Sequence, residues 1–403
     1  MWERVRERGI MNNKKTYATF LLGKTYIGHL FSRLAVWKRG QGYSAFKEKY
    51  RADNFFELTL EERSSFPDFQ KCINCGVCVP SCLFSVDISK NDLPDPEYYA
   101  CSLSRPLPDL WTASDSIYKC TCCAACESVC PQGVPISEIV QFVKRKISLI
   151  APELVPFKEG MANIRDGYNM FGERPAPFVY TQRPKPAYLL YMGCLYSTKE
   201  REAGQRIVSL LDKAKLDFTI LEEEACCGRP MDIDDNCSDG DLKKIAEMNI
   251  KTVIAPCAQC YSHLKDKVNN THKILHITEF LADTKFRLKT ESKVSYYDPC
   301  ILHIKHGIYD APRKLLKASG GNFIDINYNK NLLCCGAGSG VGILYPEIAG
   351  AVAKERLKPF KEAGTEILLT ECSYCLQNLR RGVSVKDKMK VYSLSEYLYM
   401  SEI

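Results

Sequence analysis

The sequence has little that would place it in a membrane or among secreted, disulfide-bonded proteins. No run of 18 or more apolar residues occurs in the 403-residue chain, so we expect no membrane-spanning helix. No clean signal peptide is present, and disulfide scaffolds are usually small secreted domains. We therefore expect a cytoplasmic protein in a reducing compartment.

The sequence also has no glycine-rich loop of the kind that holds a flavin or a nicotinamide. Glycines alternate at Gly336, Gly338, Gly340 and Gly342, but this pattern fits neither G-x-G-x-x-G after a strand nor a P-loop. The run follows a Cys-Cys pair, and we interpret it as a turn that lies close to a metal site. Electrons must then reach this chain from another protein.

Cysteine, in contrast, is abundant, with 21 residues. Most of these cysteines are grouped as C-x-x-C or C-C pairs, a spacing that suits a metal better than a disulfide framework. Cys101 and Cys237 fall outside every motif, and we expect both to be small apolar residues in packed surroundings.

Eight cysteines form two runs with the same internal spacing. The first is Cys72-x-x-Cys75-x-x-Cys78-x-x-x-Cys82, and the second is Cys120-x-x-Cys123-x-x-Cys126-x-x-x-Cys130-Pro131. This is the spacing of bacterial two-cluster ferredoxins, in which the fourth cysteine of each run binds the other cluster. We expect one [4Fe–4S] cubane on Cys72, Cys75, Cys78 and Cys130, and the other on Cys120, Cys123, Cys126 and Cys82.

The alternative for these runs is a pair of zinc knuckles, which two full copies followed by Pro131 make the weaker interpretation. One ambiguity of register remains, because Cys122 precedes Cys123 directly. The x-x spacing favours Cys123 as the ligand and leaves Cys122 spare.

Ten further cysteines form an internal repeat in the second half of the chain. Each copy has one cysteine, then Cys-Cys-Gly, then C-x-x-C. The first copy is Cys194, Cys226, Cys227, Cys257 and Cys260, and the second is Cys300, Cys334, Cys335, Cys372 and Cys375. Short apolar runs precede the cysteines, at residues 187–192, 218–221, 252–255, 294–297, 323–326 and 367–370. Strands alternating with helices predict two α/β units with partly parallel sheets, and ligand sites lie at the carboxyl ends of such strands.

Five thiols per unit exceed the four that a zinc ion takes. We therefore expect an unusual multi-iron site in each unit, with a disulfide or zinc site as the alternative. Asp298 and His303 lie beside Cys300, and we consider them, with His306, as weaker candidates for donating hydrogen bonds or protons.

From about residue 66 to its end, the chain resembles the D-type iron–sulfur subunit of heterodisulfide reductase, or a fusion of the C and B subunits of the soluble enzyme. In that family a ferredoxin domain precedes two cysteine-rich CCG domains. Iron–sulfur subunits of glycolate oxidase, anaerobic glycerol-3-phosphate dehydrogenase and lactate-utilisation enzymes are related, and several of them have eroded CCG motifs. Intact motifs in both units favour the disulfide-reducing branch. The 29 residues between Cys227 and Cys257 are fewer than the family pattern has.

The resemblance implies two noncubane [4Fe–4S] clusters, one on the five cysteines of each CCG unit, with a small-molecule disulfide bound between them. The chain would be an oxidoreductase acting on sulfur, and in methanogenesis the family substrate is the disulfide of coenzymes M and B. A membrane cytochrome b subunit or a flavoprotein would donate the electrons. The alternative is an iron–sulfur subunit of a membrane-associated flavin dehydrogenase of glycolate, lactate or glycerol-3-phosphate type, which passes electrons to quinone.

The charge of the chain is uneven, because residues 1–51 carry a net charge of +9 and the remainder −2. Residues 16–39 include a helical pattern with apolar and basic positions, which predicts contact with a membrane surface at the inner face of the cell membrane or with a partner. We expect no nucleic-acid partner. The predicted fold is a basic amphipathic extension (1–62), a helical two-cluster ferredoxin-type domain (63–150), a linker (151–185) and two tandem α/β CCG domains (186–290 and 291–403).

Overall fold

The structure, a computed structural model, divides the chain after Glu57 into two compact units, which are described separately. It describes residues 16, 18–31, 42–49, 58–82, 95–104, 110–166, 168–229, 239–268, 271–282, 290–326 and 334–401.

Within its described residues, the first unit contains two helices, α1 (residues 18–31) and α2 (Gly42–Lys49). The helix expected from the pattern of residues 16–39 is thus present where it is described, while residues 32–39 lie outside the described residues. Large apolar side chains of α1 are exposed, among them Phe20, Leu22 and Phe31. Within the part of the chain that the structure describes, no helix is both long and apolar enough to cross a membrane.

The second unit begins with a helical region that contains the two ferredoxin runs. Its elements are α3 (Leu60–Phe69), a 3₁₀ turn (Val79–Ser81), α4 (Pro96–Ser102), α5 (Leu110–Ile117), α6 (Ala125–Ser128) and α7 (Ile136–Ile150). The 3.6-residue spacing of apolar residues predicts α7, and those residues are buried. On the same helix, the Phe142 ring lies 5.6 Å from that of Phe66 and 6.0 Å from that of Phe69. Helices α3 and α7 therefore share one apolar core.

Helix α3 crosses the boundary that we expected after residue 62. Its first turn is fixed by a capping box, in which Thr59 accepts from the Glu62 N–H at 3.1 Å and Glu62 accepts from the Thr59 N–H at 2.8 Å. Glu62 also forms a 2.7 Å ion pair with Lys146 of α7. The cap and this ion pair thus fix the start of α3 against α7.

The segment expected to be a linker packs against the first CCG unit. It contains a 3₁₀ turn (Pro152–Leu154) and α8 (Lys158–Arg165), followed by a strand-free stretch. The Tyr180 ring stacks on Phe218 at 5.0 Å, and the Val179 N–H donates to Gln205 at 3.0 Å. These contacts make residues 173–186 a cover for one side of that unit.

The first CCG unit is a parallel four-stranded sheet with helices around it. Its strands are β1 (Tyr188–Leu190), β2 (Phe218–Ile220), β3 (Thr252–Ala255) and β4 (Lys273–His276), in the order β2-β1-β3-β4. Its helices are α9 (Cys194–Ser197), α10 (Arg201–Lys213), α11 (Asp239–Glu247), α12 (Ala258–Val268) and α13 (Ile277–Leu281).

The second CCG unit repeats this topology. Its parallel strands are β5 (Val294–Tyr296), β6 (Ile367–Thr370) and β7 (Lys390–Ser393), in that order. Its helical elements are a π-helical turn (Ile301–Lys305), α14 (Asp310–Ala318), α15 (Val341–Leu344), α16 (Pro346–Glu362), α17 (Ser373–Gly382) and α18 (Leu394–Ser401).

The predicted α/β class and internal repeat are confirmed, with two corrections to the strands. The run at residues 323–326 forms only one parallel bridge, between Phe323 and Val294, in place of a strand equivalent to β2. Strands β4 and β7 were not predicted. Each begins with an exposed lysine, has alternating burial and runs directly into a helix, so it lacks the continuous apolar run that marks β3 and β6.

Candidate functional site

Three cysteines of the first run and one of the second line a single cavity, which we call the distal pocket. They are Cys72, Cys75, Cys78 and Cys130. The Val134 N–H donates to Cys130 Sγ at 3.4 Å, and the Asn74 N–H donates to Cys72 Sγ at 3.5 Å. Burial, with a smaller contribution from neighbouring thiols, raises the pKa of Cys78 to about 11. Thiols crowded in this way need a bound cation to stay ionised at neutral pH.

The other four ferredoxin cysteines line a second cavity, the proximal pocket. They are Cys82, Cys120, Cys123 and Cys126. The same cavity is also lined by Cys122 and, from the second CCG unit, by Cys334. Each pocket therefore brings together the four thiols that ferredoxin spacing groups, with the fourth cysteines exchanged. Their assignment as cluster ligands stays a prediction.

In the first CCG unit, five buried thiols meet beyond the carboxyl ends of β1, β2 and β3. They are Cys194, Cys226, Cys227, Cys257 and Cys260. The Sγ atoms of Cys194 and Cys226 are 3.8 Å apart, and Cys227 forms hydrogen bonds with Cys226 and Cys260. Hydrogen bonds from Cys194 and Cys227 lower the pKa of Cys226 below its ordinary value. Hydrogen bonds to the Cys257 sulfur outweigh its burial and lower the pKa of Cys257 as well. The unit thus holds two thiols in sites that favour the thiolate.

In the second CCG unit, the equivalent five thiols are also buried. They are Cys300, Cys334, Cys335, Cys372 and Cys375. The Sγ atoms of Cys335 and Cys375 are 3.3 Å apart. Cys300 forms a hydrogen bond with Cys334, and Cys372 forms one with Cys375. The hydrogen bond from Cys375 lowers the pKa of Cys335. In both units, therefore, all five thiols of the repeat lie close together.

The glycine of each Cys-Cys-Gly motif has a defined structural role. Gly228 and Gly336 have φ angles of 75° and 92°, a region that side chains rarely adopt. In this conformation the N–H of Gly228 donates to Cys226 Sγ at 3.4 Å, and that of Gly336 donates to Cys334 Sγ at 3.3 Å. The turn after each cysteine pair thus directs an amide at the first sulfur.

The two CCG sites meet at their C-x-x-C motifs. Cys257 forms a hydrogen bond with Cys372, and the Ser373 hydroxyl donates to Cys257 Sγ at 3.1 Å. Cys257 is 1% exposed and Cys372 is 2% exposed, so this junction lies inside the protein.

The proximal pocket contacts the second CCG unit rather than the first. Cys123 forms a hydrogen bond with Cys334, and Thr121 Oγ1 lies 3.1 Å from Cys334 Sγ. Ile136 lines both ferredoxin pockets. The four sites are therefore ordered in space as distal pocket, proximal pocket, second CCG site and first CCG site.

The cysteines outside the motifs differ from expectation where they are described. Cys101 is half-buried, with its Sγ 3.4 Å from Cys72 Sγ, and it donates to Asn74 Oδ1 at 3.0 Å. The interpretation of Cys101 as an apolar packing residue is therefore wrong, because its partners are polar. Cys237 lies outside the described residues. All 20 described cysteines are free thiols.

The weaker candidates have the following partners in the structure. The carboxylate of Asp298 accepts two 2.8 Å hydrogen bonds from Arg313, which anchor α14 to the end of β5. The His303 ring packs on Tyr309 at 5.0 Å, and His306 Nε2 bonds with Ser262 at 3.0 Å.

Sequence reasoning did not identify several residues that adjoin the sites. The expected linker supplies Met170, whose sulfur accepts from Tyr374 Oη at 3.7 Å, near the CCG thiols. Lys144 and Ser339 join the ferredoxin region to the glycine-rich turn. For Lys144 a signal exists, since a lysine four residues after Val140 and three before Ile147 interrupts an apolar helix face.

Known families account for most of these features. Residues 68–134 match the 4Fe-4S dicluster domain, and residues 188–265 and 294–380 each match the cysteine-rich CCG domain. Together the matches cover more than half of the chain. The chain belongs to the family that joins a 4Fe-4S dicluster domain to two CCG domains. This CCG-family protein is therefore an iron–sulfur electron-transfer protein.

Two relatives are named as an oxidoreductase or as a subunit of a reductase. The chain is 29% identical, over 71% of its length, to EtfAB:quinone oxidoreductase of Syntrophomonas wolfei, and the match spans only 46% of that protein. It is 26% identical, again over 71% of its length, to the D-type subunit of dihydromethanophenazine:CoB–CoM heterodisulfide reductase from Methanosarcina acetivorans, covering 76% of that polypeptide. A hypothetical protein from Helicobacter pylori has a similar fold, with a TM-score of 0.56 and 10% identity, over 89% of this chain and 75% of that one.

The residues present fit iron–sulfur clusters. Four thiols around each ferredoxin pocket are the donor set of a [4Fe–4S] cubane, and nearby amides point at two of the sulfurs. Each CCG site offers five thiols where a structural zinc ion would take four. Further iron–sulfur clusters in the CCG units agree with this surplus.

Proposed function

We propose that this protein is the catalytic iron–sulfur subunit of a heterodisulfide reductase-like complex. Two cubanes and two noncubane clusters, when bound, would supply one-electron transfer to a small-molecule disulfide. The disulfide takes up two electrons and two protons, its S–S bond breaks, and two thiols result. The observation that supports this most is the Cys257–Cys372 contact, because it sets two five-thiol sites side by side.

Each of the four sites would carry one step of the electron transfer. The distal and proximal thiols would hold the cubanes, and the contact of Cys123 with Cys334 provides the short route into the second CCG unit. From there, the contact of Cys372 with Cys257 leads to the first unit. From the proximal pocket inward, an electron thus crosses sulfur-to-sulfur contacts rather than solvent.

The test is Cys335→Ala in anaerobically purified protein, assayed with reduced benzyl viologen and the disulfide of coenzymes M and B. We expect loss of disulfide reduction while the cubane EPR signals persist, because Cys335 belongs only to the second CCG site. Cys101→Ala, which removes a thiol outside the four expected ligand sets, is the matched control and should retain activity. Loss of the cubane signals in Cys335→Ala would contradict the division into separate sites.

Iron analysis provides a second check on the same proposal. Four [4Fe–4S] clusters require about 16 iron and 16 acid-labile sulfide per chain. About eight of each would mean that only the ferredoxin pockets bind clusters, and the proposed disulfide chemistry would then fail.

A second candidate function is that of an iron–sulfur subunit that passes electrons from a flavin dehydrogenase to quinone. The observation that favours it is burial, since none of the ten CCG thiols is more than 8% exposed. The similarity to the EtfAB:quinone oxidoreductase of Syntrophomonas wolfei agrees with it. Reduction of a soluble quinone by the reduced protein, without turnover of any disulfide, would favour this candidate.

We also propose that the basic extension attaches the protein to its electron-transfer partner, such as a membrane cytochrome b, or to the inner face of the membrane. The exposed apolar side chains of α1 and the net charge of +9 over residues 1–51 support this. Deleting residues 1–57 should weaken binding to anionic lipid vesicles without removing iron. Neutral vesicles are the control, and unchanged binding to anionic vesicles would refute the membrane contact.

A further inference from the structure

Lys119, Arg356 and Lys144 are cations beside the proximal pocket. Arg356 and Lys144 have no carboxylate partner among the described residues. Arg356 of α16 lines the cavity, and its Nε is buried with no hydrogen-bond partner in that part of the chain. Lys144 of α7 is 1% exposed, with its Nζ 3.2 Å from the Cys120 carbonyl oxygen and 3.3 Å from Ser339 Oγ. The contacts that fix the Lys144 ammonium are therefore with neutral oxygens.

A buried cation that contacts only neutral groups is unfavourable unless negative charge lies nearby. The groups that line this pocket and can carry such charge are the cysteine thiolates. The Lys144 ammonium is held against the main chain of Cys120, on the side that faces the second CCG unit. Its position is therefore explained by a negatively charged group in the proximal pocket.

The distal pocket has the opposite charge. Among its described lining residues, Glu97 is charged, and there is no lysine or arginine. Glu97 Oε2 lies 3.6 Å from the position that a Cβ on Gly76 would occupy, so the carboxylate is beside the loop that carries Cys75 and Cys78.

We propose that Lys144 and Arg356, opposed by Glu97, give the proximal cluster a higher reduction potential than the distal cluster. Reduction adds one negative charge to a cluster, which a nearby cation stabilises and a nearby carboxylate destabilises. Electrons then run inward, from the distal pocket to the proximal pocket and on to Cys334. The inference rests on the proposed relay and concerns its direction.

Helix α7 offers a matched control two residues away. Lys146 is 4% exposed, but its ammonium is paired with Glu62 at 2.7 Å. Lys144→Met and Lys146→Met remove the same charge from the same helix, and only the first removes it from beside the proximal pocket.

The experiment is EPR-monitored potentiometry of the full-length, cluster-loaded protein under anaerobic conditions. Cys75→Ser identifies the distal signal by altering it. Lys144→Met and Arg356→Gln should each lower the midpoint potential of the proximal cluster and leave the distal one in place. Glu97→Gln should raise the midpoint potential of the distal cluster. The double variant Lys144→Met with Glu97→Gln should therefore narrow the difference between the proximal and distal midpoint potentials. Lys144→Arg, which keeps the charge, should have the wild-type midpoint potential at the proximal cluster.

Proximal and distal potentials that do not respond to these changes would overturn the inference, as would an equal shift in Lys146→Met. If Lys144→Met loses the proximal cluster, Arg356→Gln and Glu97→Gln decide the matter. These readouts need no substrate. Failure of disulfide reduction would therefore overturn the proposed function while leaving this inference standing, and unchanged potentials would do the reverse.

Discussion

Gly338→Ala tests whether the ferredoxin region and the second CCG unit are held at the separation that joins Cys123 to Cys334. A Cβ on Gly338 would lie 2.7 Å from the Thr121 carbonyl oxygen, where an ordinary contact needs 3.4 Å, so the two loops must part by about 0.7 Å. This oxygen belongs to the main chain between Cys120 and Cys122, so it cannot move away by a side-chain rotation. Overpacking of this kind costs about 1–3 kcal/mol.

The same displacement acts on electron transfer, because Thr121 Oγ1 and Cys334 Sγ lie 3.1 Å apart at this interface. The assay pairs thermal unfolding of the cluster-loaded protein with rapid-freeze EPR after mixing with dithionite. We expect a lower unfolding temperature and a delayed signal from the CCG clusters after the cubanes are reduced.

Gly350→Ala is the control, since Gly350 lies in α16 and an added Cβ would meet nothing within 4 Å. Alanine in a helix interior should raise stability by about 0.5–1 kcal/mol and leave the EPR kinetics unchanged. Gly338→Ala with wild-type stability and kinetics would refute the close approach of the two loops.

Two further predictions concern stability. Burial lowers the pKa of His276 from 6.5 to about 4, and its neutral ring donates from Nε2 to the Pro256 carbonyl oxygen. The unfolded chain then binds a proton that the folded chain excludes, so stability falls by about 3 kcal/mol as the pH drops from 6.5 to 4. Urea unfolding at pH 7 and pH 5 should show a smaller acid loss for His276→Gln, and an equal loss would refute this. Arg313→Met should cost about 3–5 kcal/mol because it leaves Asp298 charged and buried, and adding Asp298→Asn should recover most of that cost. Lys358→Met, at an exposed pair with Glu355, is the control at about 0–1 kcal/mol, and similar losses for Lys358→Met and Arg313→Met would contradict the argument.

Short sequence patterns predicted the helices and strands whose buried face is marked by apolar residues close together in the sequence. Helix α7 has one continuous apolar face, and β3 and β6 are short apolar runs that end at cysteines. Strands β4 and β7 escaped prediction because each begins with an exposed lysine and has an alternating burial pattern over only four residues.

The site divides in the same way. Spacing alone grouped the cysteines within each run, since thiols three residues apart share a loop. The contacts between groups depend on how whole units pack, as in the pairs Cys123–Cys334 and Cys257–Cys372. The second CCG unit therefore lies next to the ferredoxin region although the first unit precedes it in the chain.

The remaining question of register is whether Cys122 or Cys123 binds the proximal cluster. Cys122 and Ala124 have left-handed φ angles of 50° and 61°, so the loop reverses on both sides of Cys123. The Cys122 sulfur accepts from Ser339 at 3.7 Å, whereas Cys123 contacts Cys334. The x-x spacing leads us to expect that Cys123→Ser loses one cubane signal and about four iron, and that Cys122→Ser keeps both. The reverse result would make Cys122 the proximal ligand and would leave Cys123 with its contact to Cys334 as its only established role.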